Sequence, residues 1–365
     1  MSSSSEIMKL SPGAVIGILG GGQLGRMLAM AAAQLGFHTH IYCPDERNPA
    51  EQVTDRLSRN DYNDEAALVR FAKAVDVVTY EFENIPVESV EILRQHVPVF
   101  PSAQVLRVSQ DRLHEKDFLN DIGIATAPYV AVATMDEAAE ALKKIGLPVV
   151  LKTRRFGYDG KGQAIVKDVA DLADAWAGLK SNDVIVEGFI PFDMEISVLA
   201  ARGQDGDIKC FDPAENIHKN HILDLSIAPA RINADLRREA VDIARHIVAE
   251  LEYVGVLAVE FFVSSTAPIF RVNEIAPRVH NSGHWSIEAC PTSQFEQHIR
   301  AICGLPLGDT TLYGRAEMKN LIGDDIFDMD IYLKDPDANF HHYGKMQARP
   351  GRKMGHVTRI LPTVK

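Results

Sequence analysis

Along the first hundred residues the apolar positions fall into short unbroken runs separated by stretches of mixed character. Residues 14–19 (Ala-Val-Ile-Gly-Ile-Leu) form one such run, too short for a helix and of the kind buried on both faces of a parallel sheet. Residues 23–35 bring Leu24, Met27, Leu28 and Ala31 to helical spacing. Strands are predicted over 38–42, 76–80 and 97–100, and helices over 64–73 and 87–95. This alternation predicts a doubly wound parallel sheet. A helical stretch over 102–122 leads out of it.

The pattern changes near residue 128. A small unit over 128–188 reads strand, helix (135–145), strand (149–153), glycine-rich loop, strand (163–166), helix (169–179), strand (184–187). The remainder has more antiparallel character, with strands expected over 195–201, 208–211, 256–263 and 268–274. The fold class is therefore α/β at the N-terminus and α+β beyond it, without internal repeats or low-complexity linkers.

Composition narrows the function classes. At 365 residues the chain has length for two or three domains, and 46% hydrophobic with 24% charged residues is a globular composition. No apolar run approaches a membrane span. Residues 1–5 carry no basic or apolar signal region, and residues 1–12 are expected to be a disordered tail. Cys43, Cys210, Cys290 and Cys303 form no CxxC pair, which argues against a zinc site or disulfide framework and suits a reducing cytoplasm. A net charge of -12 disfavours nucleic acid and anionic membranes as partners, but not small anions met by a local basic cluster.

Four constellations carry chemistry. Gly20-Gly21-Gly22-Gln23-Leu24-Gly25 satisfies G-x-G-x-x-G between a strand and a helix, with Asp45 at the distance of a ribose contact. A dinucleotide pyrophosphate, a single phosphate and a plain strand-to-helix turn all remain open for it. Lys152-Thr-Arg-Arg-Phe-Gly157-Tyr-Asp-Gly160-Lys161-Gly162-Gln163 is more telling. Its glycines let backbone N–H groups fold over phosphates that Lys152 and Lys161 neutralise, and it is no Walker A loop.

Glu260 and Glu274 flank a turn, and their even separation sets them opposite each other on one sheet face if no bulge intervenes. Facing carboxylates repel, and a bound Mg²⁺, which prefers one or two carboxylates plus substrate phosphates, removes the conflict. Arg278, His280, Asn281 and His284 follow at once, with a guanidinium fork suited to an oxyanion. Two further segments stand out. Glu81, in Tyr80-Glu81-Phe82-Glu83-Asn84, ends a strand of the parallel sheet, where open α/β folds bind ligands. A basic patch over 345–356 includes Lys345, Arg352 and Lys353 and could clamp a phosphate, although a solvated turn is the more common fate of such runs.

Taken together these stretches resemble the ATP-grasp superfamily, and within it the N5-carboxyaminoimidazole ribonucleotide synthetase family. The matching segments are GGGQLGRML (20–28), YEFENIP (80–86), SQDRLHEK (109–116), GYDGKGQ (157–163), VEGFI (186–190), EISV (195–198), YVGVLAVEFF (253–262), NEIAPRVHNSGHW (273–285) and PGRKMGH (350–356). They run through nearly the whole chain in the family's order. One departure is Phe156, where the family often carries glycine.

The resemblance implies an N-terminal pre-ATP-grasp domain over 13–107, an ATP-grasp small lobe with connecting helices over 108–190, and a large lobe over 191–365. It implies a ligase of purine biosynthesis that joins ATP, bicarbonate and 5-aminoimidazole ribonucleotide through carboxyphosphate. ATP would meet Arg112, Lys152, Gly157, Tyr158, Asp159, Gly160, Lys161, Gly162 and Gln163. Glu187, Gly188, Phe189 and Ile190 would hold the adenine edge and Glu195 the ribose, with His218, Asn273 and Glu274 completing the ATP site. Glu260 and Glu274 would bind Mg²⁺, with Mn²⁺ as a substitute. Arg278, His280, Asn281 and Lys161 would be catalytic. Gly22, Gln23, Leu24, Glu81, Tyr158, Asp159, Lys345, Arg352 and Lys353 would surround the aminoimidazole ribonucleotide, and the family suggests a homodimer. An NAD-dependent oxidoreductase explains only the first glycine loop and Asp45. Other ATP-grasp ligases, such as biotin carboxylase, and a non-catalytic nucleotide sensor are the remaining rivals.

Overall fold

The computed structural model describes residues 7–157, 160–264 and 269–361. In the N-terminal domain, β1 (Val15–Leu19), α1 (Gln23–Gln34), β2 (His38–Tyr42), β3 (Arg56–Ser58), α2 (Glu65–Ala72), β4 (Val77–Tyr80) and α3 (Val87–Leu93) follow in order. The strands form a parallel sheet in the order β3-β2-β1-β4. β3 is polar and three residues long, so the apolar pattern does not reveal it. The strand expected over 97–100 shrinks to one bridge, Val78 with Val99, because Pro98 and Pro101 supply no N–H to a ladder.

Two further expectations are corrected. The helical stretch expected over 102–122 divides into two helices, α4 (Ala103–Ser109) and α5 (Arg112–Asp121). Asp111 breaks it by taking an extended backbone and accepting from Leu113 N at 2.9 Å. The tail expected over 1–12 is held from residue 7 onward. Met8 N donates to Gln204 Oε1 at 3.0 Å, Leu10 N to the Cys303 carbonyl at 2.9 Å, and both side chains pack on the core. Residues 1–6 lie outside the described residues.

The small lobe comprises β5 (Tyr129–Val132), α6 (Met135–Ile145), β6 (Val149–Thr153), β7 (Gln163–Val166), α7 (Leu172–Leu179) and β8 (Val184–Gly188). Its antiparallel sheet runs β5-β8-β6-β7 and packs on α6 and α7 through Val132, Leu142, Leu151, Leu172 and Val186. α6 starts where Thr134 accepts from Glu137 N at 3.2 Å, carries acids in its first turn and lysines in its last, and stops at Gly146 with φ +88°.

One large sheet fills the rest. Its strands are β9 (Met194–Arg202), β10 (Ile208–Cys210), β11 (Ala214–Lys219), β12 (Ile222–Ala228), β13 (Gly255–Val263), β14 (Phe270–Ala276), β15 (Arg315–Ile322), β16 (Ala338–His342) and β17 (Lys353–Leu361). They are ordered β14-β13-β9-β11-β12-β15-β17-β16, with β10 on β9. The helices are α8 (Ala234–Glu250), α9 (Ser286–Ala289), α10 (Gln294–Ile302) and α11 (Met329–Leu333). β9 and β13 are covered on both faces. Val198, Ala200, Leu257 and Val259 meet the α8 side, while Leu199, Ala201, Val256 and Ala258 meet the α10 side. That double burial explains the unbroken apolar runs. Among the described residues no helix is long and apolar enough to cross a membrane, and the four cysteines form no disulfide.

Candidate active site

The β13–β14 register places Glu260 directly opposite Glu274. A bulge does intervene, but one step further along, so the pair stays on one face and Asn273 becomes the extra, unpaired residue. The turn residues 265–268 lie outside the described residues. Arg112 Nη1 donates to Glu274 Oε2 at 3.1 Å, and His280 Nε2 lies 3.6 Å from Glu260 Oε1. Burial, then the charges of Glu274 and Glu195, push the Glu260 carboxyl well above its ordinary range. Two partly buried carboxylates face to face, one of them bridged by Arg112 and the other still pushed up, fit a hard divalent cation. Behind the pair, buried Glu115 of α5 accepts from Ile275 N; burial, then Glu274, pushes it up to about 8.

Across from this pair, the small lobe presents a different arrangement. Lys152 on β6 donates to Glu187 Oε2 at 2.8 Å, and Lys116 of α5 lies 3.4 Å from Glu187 Oε1. Burial works against the Glu187 charge, but Lys152, Lys116 and Arg112 outweigh it and hold the group down at about 2. Gly188 N donates to the Pro128 carbonyl at 2.8 Å and Phe189 N to that of Pro148 at 3.1 Å, which fixes the backbone leading to Ile190. Arg154 grips Asp111 through Nε at 2.9 Å and Nη2 at 2.7 Å, joining β6 to the start of α5.

The flap between β6 and β7 has Gly160 and Gly162 at φ +76° and +72°. A Cβ at Gly160 would lie 2.6 Å from the His221 side chain, so the flap tip meets the β11–β12 turn. Phe156 itself holds φ +63°, the left-handed region glycine favours. Gln163 pairs with Lys152, and Gly157 and Lys161 lie in the same flap, while Tyr158 and Asp159 lie outside the described residues. On the large sheet, His218 Nδ1 of β11 is 3.1 Å from Glu195 Oε1 of β9. Burial lowers the His218 pKa, but Glu195 and Glu260 reverse this and raise it.

The segment after β14 is held by long-range polar contacts that local pattern does not show. Arg278 forks onto Glu83, with Nη2 donating to Oε1 at 3.2 Å and Nε to Oε2. Gln294 brackets the His280 backbone at 2.8 and 2.7 Å. The Asn281 amide pairs with that of Asn320 on β15, donating at 2.9 Å and accepting at 2.7 Å. A buried hydroxyl–amide ladder, Ser226–Asn216–Ser197–Ser282, ties the loop to β12, β11 and β9. His284 is fully buried behind the loop and does not line it.

The first glycine loop differs from expectation. Gly22 N and Gly25 N both donate to the buried Glu81 carboxylate, the latter at 2.5 Å. A Cβ at Gly20 or Gly22 would strike Glu81 at 2.4 or 2.6 Å. The glycines therefore admit an acid of the chain itself, and a phosphate cannot use those two donors while Glu81 holds them. Gln23 and Leu24 open α1 beside it. Of the basic patch, Lys345 stands near enough to Glu81, and Lys353 near enough to His280 and His218, to bias their charges. Arg352 instead donates to the Gln347 carbonyl at 2.9 Å. Glu83, Asp111, Glu115, Lys116 and Asn320 are the partners that sequence reasoning did not single out. Four of them lie inside or beside recognisable motifs, but none has a local spacing that reveals its contact.

Comparisons with known proteins show the family. The chain matches the family described as ATP-grasp domain over residues 117–295. It also matches the ribonucleotide synthetase preATP-grasp domain over 14–110 and the phosphoribosylaminoimidazole carboxylase C-terminal domain over 316–365. It is 49% identical over 355 residues to the N5-carboxyaminoimidazole ribonucleotide synthase of Brucella melitensis biotype 1, covering 97% of this chain and 98% of that one. The N5-carboxyaminoimidazole synthetase of Staphylococcus aureus, complexed with ADP, superposes with a TM-score of 0.94 at 36% identity, over 100% of this chain and 97% of that one. The Aspergillus clavatus synthase, in complex with ADP and 5-aminoimidazole ribonucleotide, gives 0.88 at 31% identity, over 96% and 94%.

Proposed function

We propose, on the premise that this chain belongs to the N5-carboxyaminoimidazole ribonucleotide synthase family, that it carboxylates 5-aminoimidazole ribonucleotide with ATP and bicarbonate. It is an ATP-grasp ligase of purine biosynthesis. The observation that carries the reading is the Glu260–Glu274 pair, set face to face on the large sheet with Arg112 reaching both Glu274 and the Glu187–Lys152 side. A triphosphate would then lie between the acids of one lobe and the bases of the other.

In this reading ATP lies under the flap. Lys152, Arg112, Lys161 and the flap glycines neutralise its phosphates, the 187–190 backbone holds the adenine edge, and Glu195 with His218 holds the ribose. Glu260 and Glu274, with Asn273 beside them, would hold Mg²⁺ or Mn²⁺, which when bound supplies charge neutralisation at the γ-phosphate. Arg278 is kept rigid by Glu83 and directs its remaining N–H groups at bicarbonate. Burial, then Arg278 and Lys353, keeps His280 neutral, so it orients rather than protonates. Asn281, bound to Asn320, positions the loop.

A bicarbonate oxygen bonds to the γ-phosphorus as the bond to ADP breaks. The substrate amine then attacks the carboxyl carbon, directly or as CO₂, phosphate leaves, and the amine proton passes to it. Excluding water protects carboxyphosphate, which is the flap's task. Glu81, Lys345 and Lys353 receive the aminoimidazole ribonucleotide. We divide the chain at 13–107, 108–190 and 191–365 for these roles, and expect a cytoplasmic homodimer, which light scattering tests. The decisive assay is coupled ADP release with bicarbonate and aminoimidazole ribonucleotide omitted in turn. Release that ignores both omissions overturns the reading.

A further inference from the structure

Behind the site loop, three groups from distant parts of the chain meet. Glu288 lies on α9, and His341 and His356 stand directly opposite each other on β16 and β17. One ligand atom from each lies within 4.8 Å of the other two. His341 Nε2 and Glu288 Oε1 are 2.6 Å apart, and the two imidazoles stack with centres 4.3 Å apart. His356 is completely buried, and its Nε2 has no protein partner. The second Glu288 oxygen, Oε2, is buried and unpartnered too. Leaving two such atoms unsatisfied costs about 1–3 kcal/mol each, so a fold that keeps them invites a ligand for them.

We propose that Glu288, His341 and His356 form a second cation site, separate from the Glu260–Glu274 pair, for a transition-metal ion of the zinc class. Two imidazoles and one carboxylate, with water as fourth ligand, is a donor set such ions take, whereas Mg²⁺ prefers oxygen alone. Tetrahedral coordination with bonds of about 2.1 Å needs ligand atoms roughly 3.4 Å apart. The three groups must therefore close up, and the stacked rings must tilt toward a common point. His341 can do this, because β16 is the sheet edge and its side chain is partly exposed. The proton shared between His341 Nε2 and Glu288 leaves to solvent when the ion binds.

His356 must then carry its hydrogen on Nδ1 and donate it to the Tyr343 hydroxyl, now 3.0 Å away. Tyr343 in turn meets the Asn281 amide. The ion would thus clamp the β16–β17 hairpin to α9, directly behind the loop bearing Arg278, His280 and Asn281. Its role would be structural.

The test is a Co²⁺ titration of the metal-stripped full chain in excess Mg²⁺. About one Co²⁺ per chain should bind with the intense visible bands of tetrahedral coordination, and Zn²⁺ should displace it while raising Tm. Both effects should vanish in His341→Asn and in Glu288→Gln, and persist in Glu274→Ala. Wild-type protein without tetrahedral bands overturns the proposal before any variant is made. Bands that survive both variants, or that disappear in Glu274→Ala, overturn it as well.

Discussion

Two acids of the candidate site live under opposite conditions. Glu187 on β8 lies between two lysines of its own chain and is held at about 2. Glu260 on β13 faces a second carboxylate and is pushed well above its ordinary range, burial leading. The Glu260 side chain is the more exposed of the two, 17% against 4%, yet it is the one pushed up, so the source of counter-charge separates them. Where the chain supplies it, the acid helps hold the fold. Where the chain supplies too little to offset a facing carboxylate, the acid favours its neutral form, which suits the cation proposed for it.

The largest effect that tests this contrast is catalytic. Glu274→Ala should lower ATP cleavage roughly 10³-fold while circular dichroism and Tm stay near wild type. A variant still active and still responsive to Mg²⁺ would break the comparison on its functional side. On the other side, Glu187→Gln leaves Lys152 and Lys116 buried without their partner and should cost about 3–5 kcal/mol in urea unfolding. Glu260→Gln in metal-free protein should be neutral or stabilising in the same experiment. Equal losses from the two substitutions would erase the distinction.

Acid should separate them further. The Glu187 pKa is depressed below its ordinary value of 4.5, so its contribution is complete above that value and is lost as pH falls toward about 2. The loss should be about 2 kcal/mol by pH 3, on the way to about 3 kcal/mol below pH 2, read as a falling urea midpoint between pH 5 and pH 3. The Glu187→Gln protein should show a shallower fall. Glu81 is an intermediate case, a buried acid satisfied by backbone N–H groups rather than by a cation. Glu81→Gln keeps one acceptor and should cost only about 1–2 kcal/mol, measured in the same unfolding assay.

The acid pair was legible because a two-residue period and one turn suffice to place it. The parallel sheet, the small lobe and the central strands β9 and β13 were legible for a similar reason, since doubly buried strands read as apolar runs. The first glycine loop was legible as an oxyanion cradle but not in its occupant. A phosphate and a carboxylate ask the same of backbone N–H groups, and Glu81 lies 56 residues from Gly25. β11 was missed because Glu215, Asn216 and His218 make it polar although it is central to its sheet. The Asn281–Asn320 and Arg278–Glu83 contacts join residues far apart in sequence, which no local period encodes.

The strand order of the large sheet has a consequence for how the chain can be divided. β15 hydrogen-bonds to β12 from Leu225 to Ala228, and β17 and β16 continue outward from it. Severing the chain before Arg315 would strip β12 of its neighbour and leave a row of unsatisfied backbone groups on an apolar strand, a template for fibrous self-association. Residues 315–361 are thus no removable appendage that evolution or an engineer can trade at will. They are the selvedge that keeps the woven sheet from unravelling into its neighbours.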